Sequence, residues 1–389
     1  MKILITTDLY TTQTNGVVTS VQNLTNALLA RGHEVKILTL ADGIHSYRIG
    51  SVYYIRSVSI GAIYPDVRMA AAYHHRLISQ LIQWKPDVIH SQCEFFSFQF
   101  AHHIAKETGA PIVHTYHTLY EQYVGYVLPF KGVGEKAVGT LSRIRLKEVK
   151  AVIAPTRKVE RTLRGYGLEV PVRVVPSGIG MEQHRIRLTA EQREQKRRAL
   201  GIGPRTRVLV SVGRLGTEKK LDDLLRYFAA TVDPSEDIRF LIVGGGPAGT
   251  QLRKLAQSLG VGDRVVFTGM VPPERVQEYY QLGDVFVSAS TSETQGLTYV
   301  EAAANGLPLL CRKDPCLEDV MIPGENGYDF EDQDQFRQGL DRIFADPAWL
   351  PQAAERSAQV ASRFGKEAFG ESVEAVYELA LQDGMEEMS

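Results

Sequence analysis

The chain has 389 residues, 44% of them hydrophobic and 8% aromatic, with a net charge of −1. That length suits two globular domains of about 150–200 residues, and the composition excludes disordered and fibrous classes. Three cysteines (Cys93, Cys311, Cys316) without a C-x-x-C pair exclude a disulfide framework, and no apolar run reaches the ~18–20 residues that span a bilayer.

Met1 leads directly into KILITT with no secretory apolar region, so a cytoplasmic protein is expected. Charge is uneven. Residues 1–178 hold 20 of the 44 basic and 12 of the 45 acidic residues, a net of +8, and the remainder is −9. Halves of opposite sign suit different partners.

The first half alternates strands and helices: KILITT, a helical TSVQNLTNALLARG, then EVKILTL, DVIHS, PIVHTY and AVIAPT. Gly16, in the turn Thr14-Asn15-Gly16-Val17, permits close approach of a ligand beside a helix N-terminus, and a plain turn is the other reading. The His74-His75 pair reads as a helix surface. His117 follows a strand C-terminus, where the ligands of doubly wound sheets bind. A metal site from His90, His114 and His117 is rejected, because no carboxylate or cysteine pattern completes it, and no metal is expected.

Residues 127–150 interleave cations (Lys131, Lys136, Arg143, Arg145, Lys147, Lys150) with apolar residues (Leu128, Phe130, Val133, Val138, Leu141, Ile144, Leu146). Such a stretch lies in a headgroup plane, each cation contributing about 1 kcal/mol near anionic lipid. A surface helix with a solvated basic face remains open as the alternative. The loop from Ala62 to Met69 adds apolar residues. The domain boundary is expected near VVPSGIG, giving domains 1–178 and 179–365.

The second half begins VLVSVG and continues LDDLLRYFAATV, RFLIVGG, RVVFTG and DVFVSAS, again strands separated by helices. Arg214 and Lys219 lie five apart between a strand and a helix, placed to converge on a diphosphate. Gly244-Gly245-Gly246-Pro247-Ala248-Gly249 matches G-x-G-x-x-G. The next strand ends in Thr268-Gly269 rather than an acid, so dinucleotide binding is disfavoured and the glycines read as a turn that lets backbone approach a ligand. Glu293 and Glu301 flank Gly296 after the strand VFVS. A helix from about Thr298 places Glu301 in its first turn and gathers the N–H groups of Gly296, Leu297 and Thr298, an anion-binding end. Residues 366–389 read as an amphipathic helix that docks back toward the first domain.

The N-G turn, the histidine after a mid-domain strand, G-R-x(4)-K and E-x(7)-E together resemble the retaining glycosyltransferases of GT-B architecture. The resemblance covers most of the chain. The segments HTYHTLYEQYVGY and SETQGLTYVEAAANGLP are similar to those of bacterial diacylglycerol glucosyltransferases. The resemblance implies an α/β fold of two Rossmann-like doubly wound domains facing a central cleft. It implies that Glu301 holds a ribose and Glu293 the hexose hydroxyls. Gly16, Arg214, Lys219 and the backbone of Gly296, Leu297 and Thr298 would hold the diphosphate. His117 would touch an outer sugar hydroxyl and stabilise the cationic carbon.

The implied chemistry is front-face glucosyl transfer from UDP-glucose to 1,2-diacylglycerol. Contact with an anionic membrane is expected through Phe130, Lys131, Lys136, Arg143, Arg145 and Lys147. No nucleic-acid partner is expected. Glu293-Thr294-Gln295 departs from the aromatic many relatives carry before the glycine, which leaves the hexose open. A soluble acceptor such as a sugar phosphate, or sugar-nucleotide epimerisation, stays as the alternative.

Overall fold

The computed structural model describes residues 1–10, 16–59, 68–119 and 131–386. The chain divides into two compact units, Met1–Gly178 with Lys366–Ser389, and Ile179–Gly365.

Unit 1 is built on β1 (Lys2–Thr6), β2 (Glu34–Leu40), β3 (Tyr47–Ile49), β4 (Val52–Ile55), a separate β5–β6 pair (Val58–Ser59, Arg68–Met69), β7 (Val88–Ser91), β8 (Ile112–Thr115), β9 (Ala151–Ala154) and β10 (Val172–Val174). The eight-stranded sheet runs β10-β9-β8-β7-β1-β2-β4-β3, parallel except where β3 turns back on β4. The centre of β1, Ile3 to Ile5, is apolar because both its faces are covered. Leu4 packs with Ile78, Leu81 and Ile104 on one side. On the other, Ile3 and Ile5 pack with Leu24, Leu28, Val373 and Tyr377.

The last two residues belong to the helix Lys366–Glu386, which is part of this unit. Its buried residues Phe369, Val373, Val376, Tyr377 and Ala380 recur at three- and four-residue steps, one face of a helix. Each large apolar side chain so buried contributes about 1.5–3 kcal/mol. The Tyr377 hydroxyl meets His90 Nδ1 at 2.7 Å, and Arg31 and His33 both pair with Glu374.

Unit 2 carries β11 (Arg207–Val212), β12 (Ile238–Val243), β13 (Val265–Phe267), β14 (Val285–Ser288), β15 (Leu309–Arg312) and β16 (Gly327–Phe330). They form one parallel sheet in the order β13-β12-β11-β14-β15-β16. Chain direction across the sheet reverses between β11 and β14, so the loops leaving those two strands part there. In an open α/β sheet that crevice is the ligand position.

The glycine run after β12 serves this geometry from inside the protein. Gly244 has φ +130°, and a Cβ on it would strike the Gly213 carbonyl. A Cβ on Gly246, at φ +156°, would lie 2.6 Å from the Leu215 carbonyl oxygen. The Leu215 N–H donates to Gly245 O and the Ala248 N–H to Leu215 O, each at 2.9 Å. These glycines form the tight turn expected from the sequence, and they admit the Gly213–Leu215 backbone. Gly244→Ala is expected to lose about 3 kcal/mol or more through the clash and the strained φ, read as a lower denaturant midpoint at unchanged slope.

Candidate functional site

In unit 2 the loops leaving β11 and β14 are tied to each other. Lys219, in the turn Thr217–Lys219, places Nζ 2.6 Å from Glu293 Oε1. The Ser292 hydroxyl donates to the Glu218 carbonyl at 3.3 Å. Arg214 reaches the Glu218 carboxylate at 2.7 Å with its side chain half exposed. Arg214, Lys219 and Glu293 thus share one loop cluster. Glu218, which the sequence reading missed, fixes Arg214. A Glu four residues after an Arg was the signal available for it.

The helix Leu297–Ala304 opens on Gly296, whose φ of +72° is left-handed and which makes no side-chain cap. Glycine is required there: a Cβ would lie 2.5 Å from the Tyr299 ring. Gly296 carries no capping oxygen of its own, and the backbone N–H groups of Gly296, Leu297 and Thr298 gather at the positive end of the helix, an arrangement that suits an anion. Glu301 stands in the second turn, not the first as read from sequence, because the helix begins at Leu297. Its Oε2 accepts from the Tyr280 hydroxyl at 2.8 Å. Burial pushes the Glu301 carboxyl up to about 7, against the Tyr280 hydrogen bond, which lowers it. Nothing local marks Tyr280, 21 residues away in sequence, as its partner.

In unit 1, Gly16 is the exposed first residue of the helix Gly16–Ala30, and Thr14 and Asn15 lie outside the described residues. His117 stands two residues past β8, its Nε2 2.7 Å from Gln92 Oε1. Burial drives the His117 imidazole down to about 3, with nearby His114 adding to the effect, so the ring is neutral at physiological pH. His75 is not on a helix surface. It caps the helix Arg76–Trp84 by accepting from the Leu77 N–H, and His74 precedes it.

The basic stretch contains a helix, Lys131–Leu146. Phe130 and the side chains of Lys131 and Lys136 lie outside the described residues, as does most of the 62–69 loop. Arg143 and Lys147 are exposed, with Leu141 and Ile144 each 54% exposed among them. Arg145 departs from the expected headgroup face: its guanidinium turns inward to the Glu94 carbonyl, a better partner for a half-buried fork than solvent. Among the described residues no group of three or more His, Cys, Asp or Glu side chains is placed to hold a metal. None of the described helices is long and apolar enough to cross a membrane.

Two Rossmann-like units, one with paired cations and a helix opening on glycine at its strand-order reversal, define a nucleotide-sugar-dependent glycosyltransferase of GT-B architecture. The chain belongs to that family: residues 192–363 match the model "Glycosyl transferases group 1" and residues 14–183 match "Glycosyltransferase Family 4". It is 35% identical over 323 residues to the alpha-monoglucosyldiacylglycerol synthase of Streptococcus pneumoniae, covering 82% of this chain and 73% of that one. It is 30% identical over 384 residues to the enzyme of the same name from Acholeplasma laidlawii, covering 97% and 96%. Among solved structures it shares its fold with Anabaena HepE, crystallised with UDP and glucose, at a TM-score of 0.75 and 17% identity, covering 97% and 99%.

Proposed function

We propose that this protein transfers glucose from UDP-glucose to 1,2-diacylglycerol with retention of anomeric configuration. The observation that carries the reading is the 30–35% identity, over most of the chain, to two alpha-monoglucosyldiacylglycerol synthases. The UDP and glucose bound to HepE support the donor.

In this reading Arg214, Lys219, Gly16 and the backbone of Gly296, Leu297 and Thr298 hold the diphosphate, Glu301 the ribose and Glu293 the hexose. Neutral His117 accepts from or donates to an outer sugar hydroxyl without repelling the oxocarbenium-like carbon. The acceptor oxygen bonds to C1 on the face from which UDP departs, and its proton passes to the departing phosphate oxygen. The products are the glucoside and UDP. Negative charge grows on the diphosphate as the C1–O bond breaks, and preorganised cations stabilise it most at that point. Exposed Leu141, Ile144, Arg143 and Lys147 suit an anionic membrane surface, which brings unit 1 to its lipid acceptor peripherally.

Mass spectrometry of products from UDP-glucose, with detergent-dispersed diacylglycerol set against a panel of sugar phosphates, tests the reading. Monoglucosyldiacylglycerol is the expected product. Glucose only on a soluble acceptor overturns the lipid assignment, and conversion of the sugar nucleotide without any acceptor overturns transfer. Sedimentation with anionic liposomes at low salt is expected to carry the protein down, and high salt to release it.

A further inference from the structure

Gln92 follows β7 directly and is 2% exposed. Its backbone N–H donates to the Thr6 carbonyl at 2.8 Å, which fixes the start of the side chain at the C-terminal end of the unit 1 sheet. A buried amide needs partners at both ends. The carbonyl end has one: Oε1 lies 2.7 Å from His117 Nε2. The amide nitrogen is buried and has none.

An amide oxygen only accepts, so this contact requires a ring that donates, with the His117 proton on Nε2 and a lone pair on Nδ1. Burial keeps the ring uncharged, and the titratable groups beside it, His114 and His90, oppose a second charge there. Among these described neighbours, only Gln92 is hydrogen-bonded to the His117 ring. His90 is engaged at both nitrogens by Tyr377 and Thr115, and His114 Nε2 lies 3.4 Å from Glu94.

We propose that Gln92 is a positioning residue for transfer: it fixes His117 as the Nε2-protonated tautomer, leaving Nδ1 to accept from a sugar hydroxyl, and its own unpartnered amide donates to an oxygen of the same ligand. This rests on the role given to His117 above. A glutamine that served only to fill the core would satisfy both ends of its amide or be exchangeable for an apolar residue of its shape.

The test has a part independent of turnover. Nitrogen-15 NMR of the full chain with labelled histidine, the His117 signals assigned by their loss in His117→Ala, is expected to show the Nε2–H tautomer. Gln92→Glu sets a carboxylate against the ring and is expected to raise the His117 titration by two units or more, adding an acid limb to the pH–rate profile. Gln92→Met is expected to cost about 10²-fold in kcat, as for a misplaced catalytic group, with UDP affinity within twofold of wild type. An Nδ1–H tautomer in the wild-type protein, or wild-type kcat in Gln92→Met, overturns the proposal. The stated tautomer together with a fully active His117→Ala overturns instead the reading on which it rests.

Discussion

Lys219→Ala is expected to lower kcat by about 10²–10³-fold, the loss found when one preorganised donor to a developing anion is removed. The reason is geometric. Lys219 sits where the strand order of unit 2 reverses, on the loop leaving β11, and its Nζ is held 2.6 Å from Glu293 on the loop leaving β14. The ammonium is thus positioned in advance, and in the proposed role it need not reorganise as charge flows to the diphosphate.

The same salt bridge predicts a second consequence. Removing the cation leaves Glu293, 15% exposed, without that partner, so Glu293→Ala and Lys219→Ala should be strongly non-additive. Steady-state kinetics of both single variants and the double variant check this. A double variant whose loss is the product of the single losses would show that the two residues act independently. Lys219→Arg should restore little, because a planar fork does not reproduce a point charge at that spot.

Glu301 gives the other large effect, and its sign can be worked out. Its carboxyl titrates at about 7 in the folded protein, against 4.5 for an ordinary glutamate, mainly because it is buried. A pair of ribose hydroxyls donating to it favours the carboxylate, so nucleotide binding drives off a proton. UDP affinity should therefore rise with pH from 6 to 8 and level off above. Calorimetry in buffers of different ionisation enthalpy should register proton release near pH 7.

Glu301→Gln should flatten this dependence and weaken UDP by about 10–100-fold, the worth of one or two charge-assisted hydrogen bonds. Stability should move the opposite way. A carboxyl raised on folding contributes stability that is full below about 4.5 and is lost as pH rises through about 7. At pH 8 the glutamine variant should therefore be more stable, by up to an order of 3 kcal/mol. A variant that binds nucleotide worse and melts higher is the pattern of a binding residue rather than a structural one.

How much of this could be read from the residues follows physical lines. β1, β2, β7, β8, β11, β12 and β14 were visible because strands buried on both faces are short β-branched runs bounded by polar or glycine residues. The hairpin of β3 and β4 around Gly50-Ser51 escaped, although a glycine between two β-rich runs is its usual signal. The clustering of Lys219 with Glu293 was legible only as two loops after two strands. That they meet depends on the order β13-β12-β11-β14-β15-β16, which no local pattern encodes.

The partners that tune the site were invisible for a related reason. Tyr280 with Glu301 and Gln92 with His117 join residues more than twenty apart through side chains, and a single sequence carries no trace of such pairing. Arg145 misled because alternating cations and apolar residues describe both a membrane face and a helix that sends one arginine inward. The G-x-G-x-x-G match, disfavoured from sequence as a dinucleotide fingerprint, has a local use: glycines are needed wherever backbone meets backbone, and here a second backbone is the protein's own.

In the proposed function unit 2 neutralises a pyrophosphate with Arg214 and Lys219. Calorimetric titration of UDP into the wild-type protein and into Arg214→Ala/Lys219→Ala tests this most directly. Saturable binding is expected that weakens with salt and falls by about 100-fold or more in the double variant. Equal affinity in both proteins, or no uptake of UDP by the wild type, would contradict it.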